Sequence, residues 1–440
     1  MDNVLDPVDQ SMFDLGRAVG VTIVPQGVWV YNRAIDIDGL RRFHDHLQRG
    51  RLSRRIERSP LWFGRHRWVS PNGSSAIEIV ASARPREEFN AWLNEQANTP
   101  LDCEQGPVWH LAVLPFTDGG AGVSLVIPHC VTDGLGLLEA LEDAAFGRAD
   151  PISWPAAASR RRWQALREDA RQTVRDTPAI GRAVVASVRL ARSSRNGARA
   201  AAPPPTAPLA LQAGVDEPIA TPLATIFVDA DEWDARAQSI GGTSNALLVG
   251  LAAHLAQRRG RVTADGLVTI RIPVNERTAG DTRGNAVGNV DITVDPASAT
   301  TDLREIRAVI KQGLTHHLEV PDDERAMWSI FPLLPKRLIK LRGSNATGVI
   351  ASNLGVINPA ASRADGTEAD YFAVQMRYAG VTKAMLDQFG GLQILASGRV
   401  RGQVFVMALA YQPGRPNSND GLLHDLSSAL KDFSLTSTHL

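Results

Sequence analysis

Cysteine is nearly absent from this chain of 440 residues: there are two, Cys103 and Cys130. That excludes a disulfide scaffold and a zinc ribbon, and makes a reducing cytosol the simplest home. No run of about 18 apolar residues occurs, so no transmembrane helix is expected. Neither sign of charge dominates. Lys plus Arg and Asp plus Glu number 47 each, so bulk charge designates no polyanionic partner, and no nucleic-acid role is expected. The N-terminus holds Asp2, Asp6 and Asp9 and lacks a basic-then-apolar leader, which argues against secretion. Several catalytic signatures are also missing. There is no Gly-x-Ser-x-Gly elbow and no phosphate-binding Gly-x-x-x-x-Gly-Lys-Ser/Thr loop. Neither Gly134-Leu135-Gly136 nor Gly120-Ala121-Gly122 completes a dinucleotide fingerprint. His44 and His46 lie two apart without partners for a metal set, so no metal site is expected.

The composition is that of a globular protein, 44% apolar and 21% charged, and the length suggests two domains. Residues 1–155 read as a mixed α/β unit. Strands are predicted over Val21–Val30, Ser75–Ala81, Val108–Leu114 and Ala121–Ile127, with helices over Ile37–Gln48 and Arg86–Gln96. Residues 156–212 differ. Eleven arginines fall from Arg160 to Arg199 against Glu168, Asp169 and Asp176, and Trp163, Leu166, Ala170 and Val174 keep helical spacing. This predicts a basic amphipathic helix broken at Pro178, then a Pro/Ala-rich linker over Ala200–Pro208. Such a helix is either a solvated tether or a contact with a membrane or lipid surface. Residues 213–440 return to alternation. Strands are predicted over Ala224–Val228, Leu267–Pro273, Val290–Val294, Val349–Ser352, Gly391–Ser397 and Gln403–Tyr411. Helices are predicted from the N-cap Thr243 through Gln257, over Leu303–Leu318 and over Leu422–Phe433.

The residue with the clearest chemical context is His129. The β-branched run Ala121–Ile127 delivers it at a strand end, and Leu135, Leu138 and Leu141 begin a helix just after Asp133-Gly134. A strand end holds a side chain rigidly while the following loop opens it to substrate, which suits a general base. Neutral imidazole, with a pKa of about 6.5, can take a proton near neutral pH. Cys130 reads as a small buried residue, facing away from His129 if the backbone is extended there. His316-His317 is followed by one residue too many before a carboxylate, and reads as a surface helix end.

The string His129-x-x-x-Asp133-Gly134 resembles the active-site signature of the chloramphenicol acetyltransferase-like superfamily. That group holds CoA-dependent acyltransferases, condensation domains of peptide synthetases, and bacterial wax ester synthase/diacylglycerol acyltransferases. Further segments resemble the last of these in order and spacing. They are Gly106-Pro107-Val108-Trp109, Thr243-Ser244-Asn245, Ile272–Arg277 with Gly284-Asn285 and Gly288-Asn289, and Ala351–Gly355. Two departures stand out: Pro128 replaces the first of a usual pair of histidines, and Ala246 stands where an Asp is usual. Read without the resemblance, Val108 and Trp109 are strand packing.

The resemblance implies two α/β subdomains, each a mixed sheet flanked by helices, arranged in a V around a central tunnel. It also implies acyl transfer from a CoA or carrier-protein thioester to a hydroxyl acceptor, with His129 as general base and no acyl-enzyme. No metal or redox cofactor is needed. Asp133 would pair with an Arg from the other half, Arg277 first and Arg271 second, and hold the loop rather than complete a triad. Gly134 suits a tight turn or a close approach of substrate. Thr132 either lines the reaction chamber or a turn. Asn353, Asn275 and Ser352 are candidates for oxyanion or substrate contacts, with turn-stabilising roles as the alternative for the two asparagines. Asn285 and Asn289 read as loop structure. Condensation-type N-acyl transfer, or a catalytically silent binding or scaffold member of the same fold, are the competing readings. The implied location is cytoplasmic, with possible peripheral membrane contact through Arg160–Arg199.

Overall fold

The computed structural model describes residues 3–73, 75–197, 218–319 and 348–439. The first part of the chain runs α1 (Pro7–Val19), β1 (Thr22–Tyr31), α2 (Ile37–Arg49), β2 (Arg55–Glu57), β3 (Arg67–Val69), β4 (Glu78–Ile79), α3 (Phe89–Ala97), β5 (His110–Pro115), β6 (Ala121–Val126), α4 (Gly134–Phe146) and α5 (Arg162–Gly197). The second part runs β7 (Leu223–Asp229), α6 (Ala230–Ser239), α7 (Ser244–Arg258), β8 (Val268–Asn275), β9 (Val287–Val294), α8 (Arg304–Glu319), β10 (Val349–Val356), β11 (Tyr371–Ala379), α9 (Lys383–Gln388), β12 (Leu392–Val400), β13 (Gln403–Tyr411), α10 (Asn419–Asp432) and β14 (Thr438–His439).

Two mixed sheets flanked by helices result, as expected. The first has the order β11-β1-β6-β5-β4, the second β14-β7-β13-β12-β10-β8-β9. Their membership departs from a simple division of the chain near residues 155 and 213. β11 comes from the second part yet pairs antiparallel with β1 in the first sheet, from Thr22↔Ala379 to Val30↔Tyr371. The reason is side-chain packing across that pair. Trp29 is fully buried, faces Phe372 with ring centroids 5.3 Å apart, and donates its indole N–H to the Ala361 carbonyl. Aromatic contacts of this kind add about 0.5–1.5 kcal/mol beyond their area.

The strand and helix assignments from sequence are largely recovered, with corrections. The strand expected over Ser75–Ala81 shrinks to Glu78–Ile79, an exposed edge pair against β5. Pro178 does not break the basic helix: α5 continues through it to Gly197. The Val174 carbonyl that loses its partner there belongs to an exposed residue, so water can satisfy it. Nor is the start of α5 a free tether. Asp169, 1% exposed, accepts from Ser59 Oγ (2.7 Å), Arg160 Nη1 (2.8 Å) and the Arg67 guanidinium (3.1 Å), which docks this turn on the first half. The Pro/Ala-rich segment Ala200–Pro208 lies outside the described residues.

Candidate active site

Strand β6 is buried along its whole length, and the chain leaves it at Ile127. His129 does not sit on extended backbone. The Val131 N–H bonds back to the Pro128 carbonyl (3.0 Å), closing a turn that begins the loop to α4. Cys130 is therefore placed by a turn rather than by strand alternation. Its sulfur lies buried 3.7 Å from that of Cys103, both as free thiols. The His129 main chain is pinned at both ends, its N–H to the Ile23 carbonyl of β1 (2.8 Å) and its C=O to Asn285 Nδ2 (2.8 Å). His129 as a residue is half-buried, and its Nδ1 is buried with no hydrogen-bond partner. Burial lowers the His129 pKa below the ordinary 6.5, offset in part by its own main-chain carbonyl, Asp133 and Asn285. A neutral ring at neutral pH follows.

The structure brings Asp133 and Arg277 together. Arg277 Nη2 donates to Asp133 Oδ2 (2.8 Å), and only 5% of either side chain is exposed. Arg271 goes elsewhere, to Asp291 on the neighbouring strand. Asp133 also caps α4, its Oδ1 accepting from Gly136 N (2.7 Å), while Oδ2 takes a second bond from Ala286 N (2.8 Å). Arg277 Nη2 reaches the Gly284 carbonyl too (2.9 Å), and Gly284 O accepts from Asp133 N (3.0 Å). The pair thus joins the turn after β6 to the β8–β9 loop, residues 276–286.

Glycine is needed at two nearby positions. A Cβ on Gly134 would lie 2.9 Å from the Leu354 side chain at the end of β10. Gly134 is thus explained by contact with the second sheet. A Cβ on Gly136 would meet Thr132 Oγ1 at 2.7 Å and Arg277 Nη2 at 3.0 Å, so the buried ion pair requires this glycine, which the motif does not mark. Thr132 is buried and donates to the Asp133 carbonyl (3.1 Å), which makes it a turn residue.

The oxyanion candidates separate. Asn275 is exposed and its Oδ1 accepts from Arg277 N (2.9 Å). Asn353 Oδ1 accepts from Gly355 N (2.8 Å). Both oxygens are engaged in local turns. Along β10, Ala351 packs in the core beneath α7, whereas Ile350 and Leu354 pack towards the first sheet. Strand alternation then puts Ser352 on the face towards the first sheet and Asn353 on the other. Trp109 is packing, its indole donating to Ser53 Oγ (2.9 Å) and its ring meeting His44 edge-on. His317 is not at the surface but half-buried, 3.4 Å from Glu276.

Two residues that sequence reading did not single out complete the surroundings. Asp9, on α1, is fully buried and accepts from Gly284 N (2.7 Å), Asn285 N (2.8 Å) and Asn285 Nδ2 (2.9 Å). Burial, with Asp6 nearby, pushes its carboxyl up to about 7. Arg54, 2% exposed, donates to the Val131 carbonyl (3.1 Å) and the Thr282 carbonyl (2.6 Å), and stacks on Trp68 with its guanidinium carbon 3.8 Å from the ring centroid. Burial, then Arg51, brings its pKa down to about 9. An Asp at the N-terminal edge of a helix and an Arg in a loop carry no local signal of such roles. Only the tertiary fold reveals them.

No protein-family model matches the sequence, and no curated protein is detectably similar to it. Solved structures are. The first condensation domain of the CDA synthetase aligns over 99% of this chain and 96% of its own, with TM-score 0.59 and 12% identity. The wax ester synthase/diacylglycerol acyltransferase from Marinobacter aquaeolei VT8 aligns over 98% of both chains, with TM-score 0.54 and 13% identity. Polyketide synthase associated protein 5 from Mycobacterium tuberculosis covers 96% of this chain and 94% of its own, with TM-score 0.53 and 14% identity. The chain has the fold that condensation domains and the wax ester synthase share, over essentially its whole length.

Proposed function

We propose that the protein is an acyltransferase that moves an acyl group from a CoA or carrier-protein thioester to a hydroxyl acceptor, with His129 as general base. The observation that carries this reading is the imidazole itself. It belongs to a half-buried residue, is neutral by burial, and is pinned through its main chain to β1 and to the β8–β9 loop in a fold shared with acyl- and peptidyl-transferring proteins. The acceptor's O–H proton passes to the free ring nitrogen as its oxygen attacks the thioester carbonyl. The C–S bond then breaks and the departing sulfur takes the proton back. No acyl-enzyme and no cofactor enter. General-base help of this kind is worth roughly 10²–10⁴-fold, and holding donor and acceptor together adds more. The two substrates would meet in a tunnel between the halves, with Ser352 facing it from β10.

The acceptor on this reading is an apolar alcohol or diacylglycerol, as the name of the wax ester synthase suggests. The TM-score of 0.59 to a condensation domain favours a second version, in which a carrier-bound donor acylates an amine. Contact with a lipid surface would use the exposed side of α5, where Arg161, Arg162, Trp163, Arg167 and Arg171 lie; Arg160 is engaged by Glu57 and Asp169. No helix among the described residues is long and apolar enough to cross a membrane. The test is incubation with labelled acyl-CoA and with acyl-loaded carrier protein, against panels of alcohols and amines, with His129→Ala as control. Acyl product lost in the variant supports the proposal. Tight lipid or protein binding that is indifferent to His129→Ala, without turnover, supports a silent scaffold instead.

A further inference from the structure

The chain has two cysteines in 440 residues, and the fold brings them together. Cys103 and Cys130 are 27 residues apart in sequence, yet their sulfurs lie 3.7 Å apart. Both are buried free thiols, in the same core cluster as Leu52, Ile56, Val108 and Val131. With no third cysteine in the chain, each thiol has one possible partner within it. The proposed acyl transfer uses neither.

Both sulfurs are carried by anchored turns. Cys130 directly follows His129, in the turn that closes from Val131 N to the Pro128 carbonyl. Cys103 lies in a turn that closes from Gly106 N to the Asp102 carbonyl (2.8 Å), and its own carbonyl accepts from Ile56 N (2.7 Å). A buried arginine holds the residue after each cysteine. Arg54 donates to the Val131 carbonyl (3.1 Å), and Arg55 donates to the Glu104 carbonyl (2.7 Å). Positive charge nearby favours the thiolate, the form that reacts with an oxidant. The two thiols are not equivalent. Contact with Cys103, then burial, pushes the Cys130 thiol up, so Cys130 keeps its proton and leaves Cys103 as the attacking sulfur. Cys103 also has an exposed neighbour, Asp102, so it sits one residue beneath the surface.

We propose that Cys103 and Cys130 form a redox modification site, in which a peroxide converts the pair to a disulfide that ties the His129 turn to the turn at Asp102–Gly106. The Cys103 thiolate attacks one oxygen of hydrogen peroxide, the O–O bond breaks, and the departing hydroxide takes a proton to leave as water. The Cys130 sulfur then attacks the resulting Cys103 sulfenic acid. The S–S bond forms, the S–O bond breaks, and the hydroxyl leaves as a second water with the Cys130 thiol proton. The two sulfurs lose two electrons in all, and the peroxide gains them. Bond formation draws the sulfurs from 3.7 Å to about 2.05 Å. Part of that movement falls on Cys130, the neighbour of the base. A displacement on the order of 1 Å is enough for a large loss of rate, so the oxidised chain is the less active form. Only this last consequence rests on the acyl-transfer reading.

The experiment treats the full chain with hydrogen peroxide, removes the peroxide, unfolds the chain and alkylates free thiols. The expected result is a mass lower by two hydrogens, no alkylated cysteine, and a peptide linked through Cys103 and Cys130, all reversed by dithiothreitol. In Cys130→Ser the resolving thiol is gone, so Cys103 accumulates as a sulfenic acid that a 1,3-diketone traps. In Cys103→Ser, Cys130 stays a thiol under the same exposure. Two alkylated cysteines after peroxide, or a link that forms only in urea, overturns the proposal in the wild type alone, whether or not the variants fold. The ring signal of His129, read by nuclear magnetic resonance with ¹⁵N-labelled histidine and assigned by its loss in His129→Gln, should move on oxidation and return on reduction. An unmoved signal in a linked chain overturns the coupling to His129. Acyl transfer on the same samples should fall at least roughly tenfold on oxidation. Equal transfer in both forms overturns the loss of rate. Transfer in neither form sinks only the proposed activity, because the mass and the ring signal read the pair without it.

Discussion

Asp9→Asn should reverse the order of stability between wild type and variant as pH rises. The Asp9 carboxyl is fully buried and accepts three N–H bonds from the loop that holds His129. Burial, reinforced by Asp6, outweighs those bonds and lifts its pKa from 3.8 to about 7. The sign follows from proton linkage. Below about pH 4 the group is neutral in both folded and unfolded chains and contributes no pH dependence. Between about 4 and 7 the unfolded chain ionises first, so stability falls as pH rises, and above about 7 the whole penalty is present. At 1.36 kcal/mol for each tenfold, moving from 3.8 to about 7 corresponds to about 4 kcal/mol. Asparagine cannot ionise, so it escapes this penalty. It must, however, turn an NH₂ towards one of the three donors, a pH-independent cost of about 1–3 kcal/mol. Urea unfolding from about pH 4 to 8 should therefore find the variant less stable than wild type at the acid end and more stable at the basic end. The difference should move by up to about 4 kcal/mol. A difference flat within about 0.5 kcal/mol, or moving the opposite way, would refute the reasoning and mean that Asp9 is held ionised by its donors and Arg54.

Other outcomes follow from the same geometry. Asp133→Asn should destabilise by about 3–5 kcal/mol in urea, because it sets an NH₂ against Arg277 and Ala286 N and strands a guanidinium that is 5% exposed; Asp133→Asn with Arg277→Met should recover part of that loss. Gly136→Ala gains helix propensity of about 1 kcal/mol, yet its Cβ meets Thr132 Oγ1 at 2.7 Å, so thermal unfolding should show a net loss of about 1–3 kcal/mol. His129→Ala should leave urea stability within about 1 kcal/mol and lower acyl transfer by at least roughly 10²-fold. In the wild type, the acid limb of kcat/KM should lie below the ordinary histidine range, since burial lowers this ring's pKa; a limb above 6.5 would contradict the environment described.

Much of the scaffold could be read from the sequence because its signals are local. Ala121–Ile127 is a β-branched run, and α7 begins where Thr243 can cap it, its Oγ1 accepting from Ala246 N (3.2 Å). The likeness to solved structures agrees with the fold expected from His129-x-x-x-Asp133-Gly134 and the motifs that follow it. What escaped is non-local. β11 puts Gln375 and Arg377 at buried positions, so its pattern does not read as a core strand. Its polar groups are satisfied by Gln26, Asn90 and Thr225, from other parts of the chain. Asp9 contributed to an acidic N-terminus and nothing more. Its role exists only because α1 lies against a loop 275 residues away. Asn285 looked like loop structure, and it is one. What distinguishes it is the amide orientation that Asp9 imposes.

The site is built on the seam between the two sheets rather than on either of them. Arg54 from the segment before β2, Asp9 from α1 and Asp133 from the turn before α4 all bind the stretch 282–286. That stretch belongs to the connection between two strands of the other sheet. Arg54, Asp9 and the Asp133 carboxylate each meet a main-chain group of this stretch with an ionisable side chain, largely out of solvent. A main-chain acceptor or donor cannot swing away like a surface side chain, so the bonds fix the position of the loop backbone itself. Asn285 Nδ2 then carries that position to the His129 carbonyl over one 2.8 Å bond. A shift of the second half by even 1 Å would stretch this bond beyond hydrogen-bonding length and release the ring's main chain. The buried charges at the seam are expensive relative to apolar packing. Their arrangement is the means by which a loop from one half holds the main chain of His129 on the other.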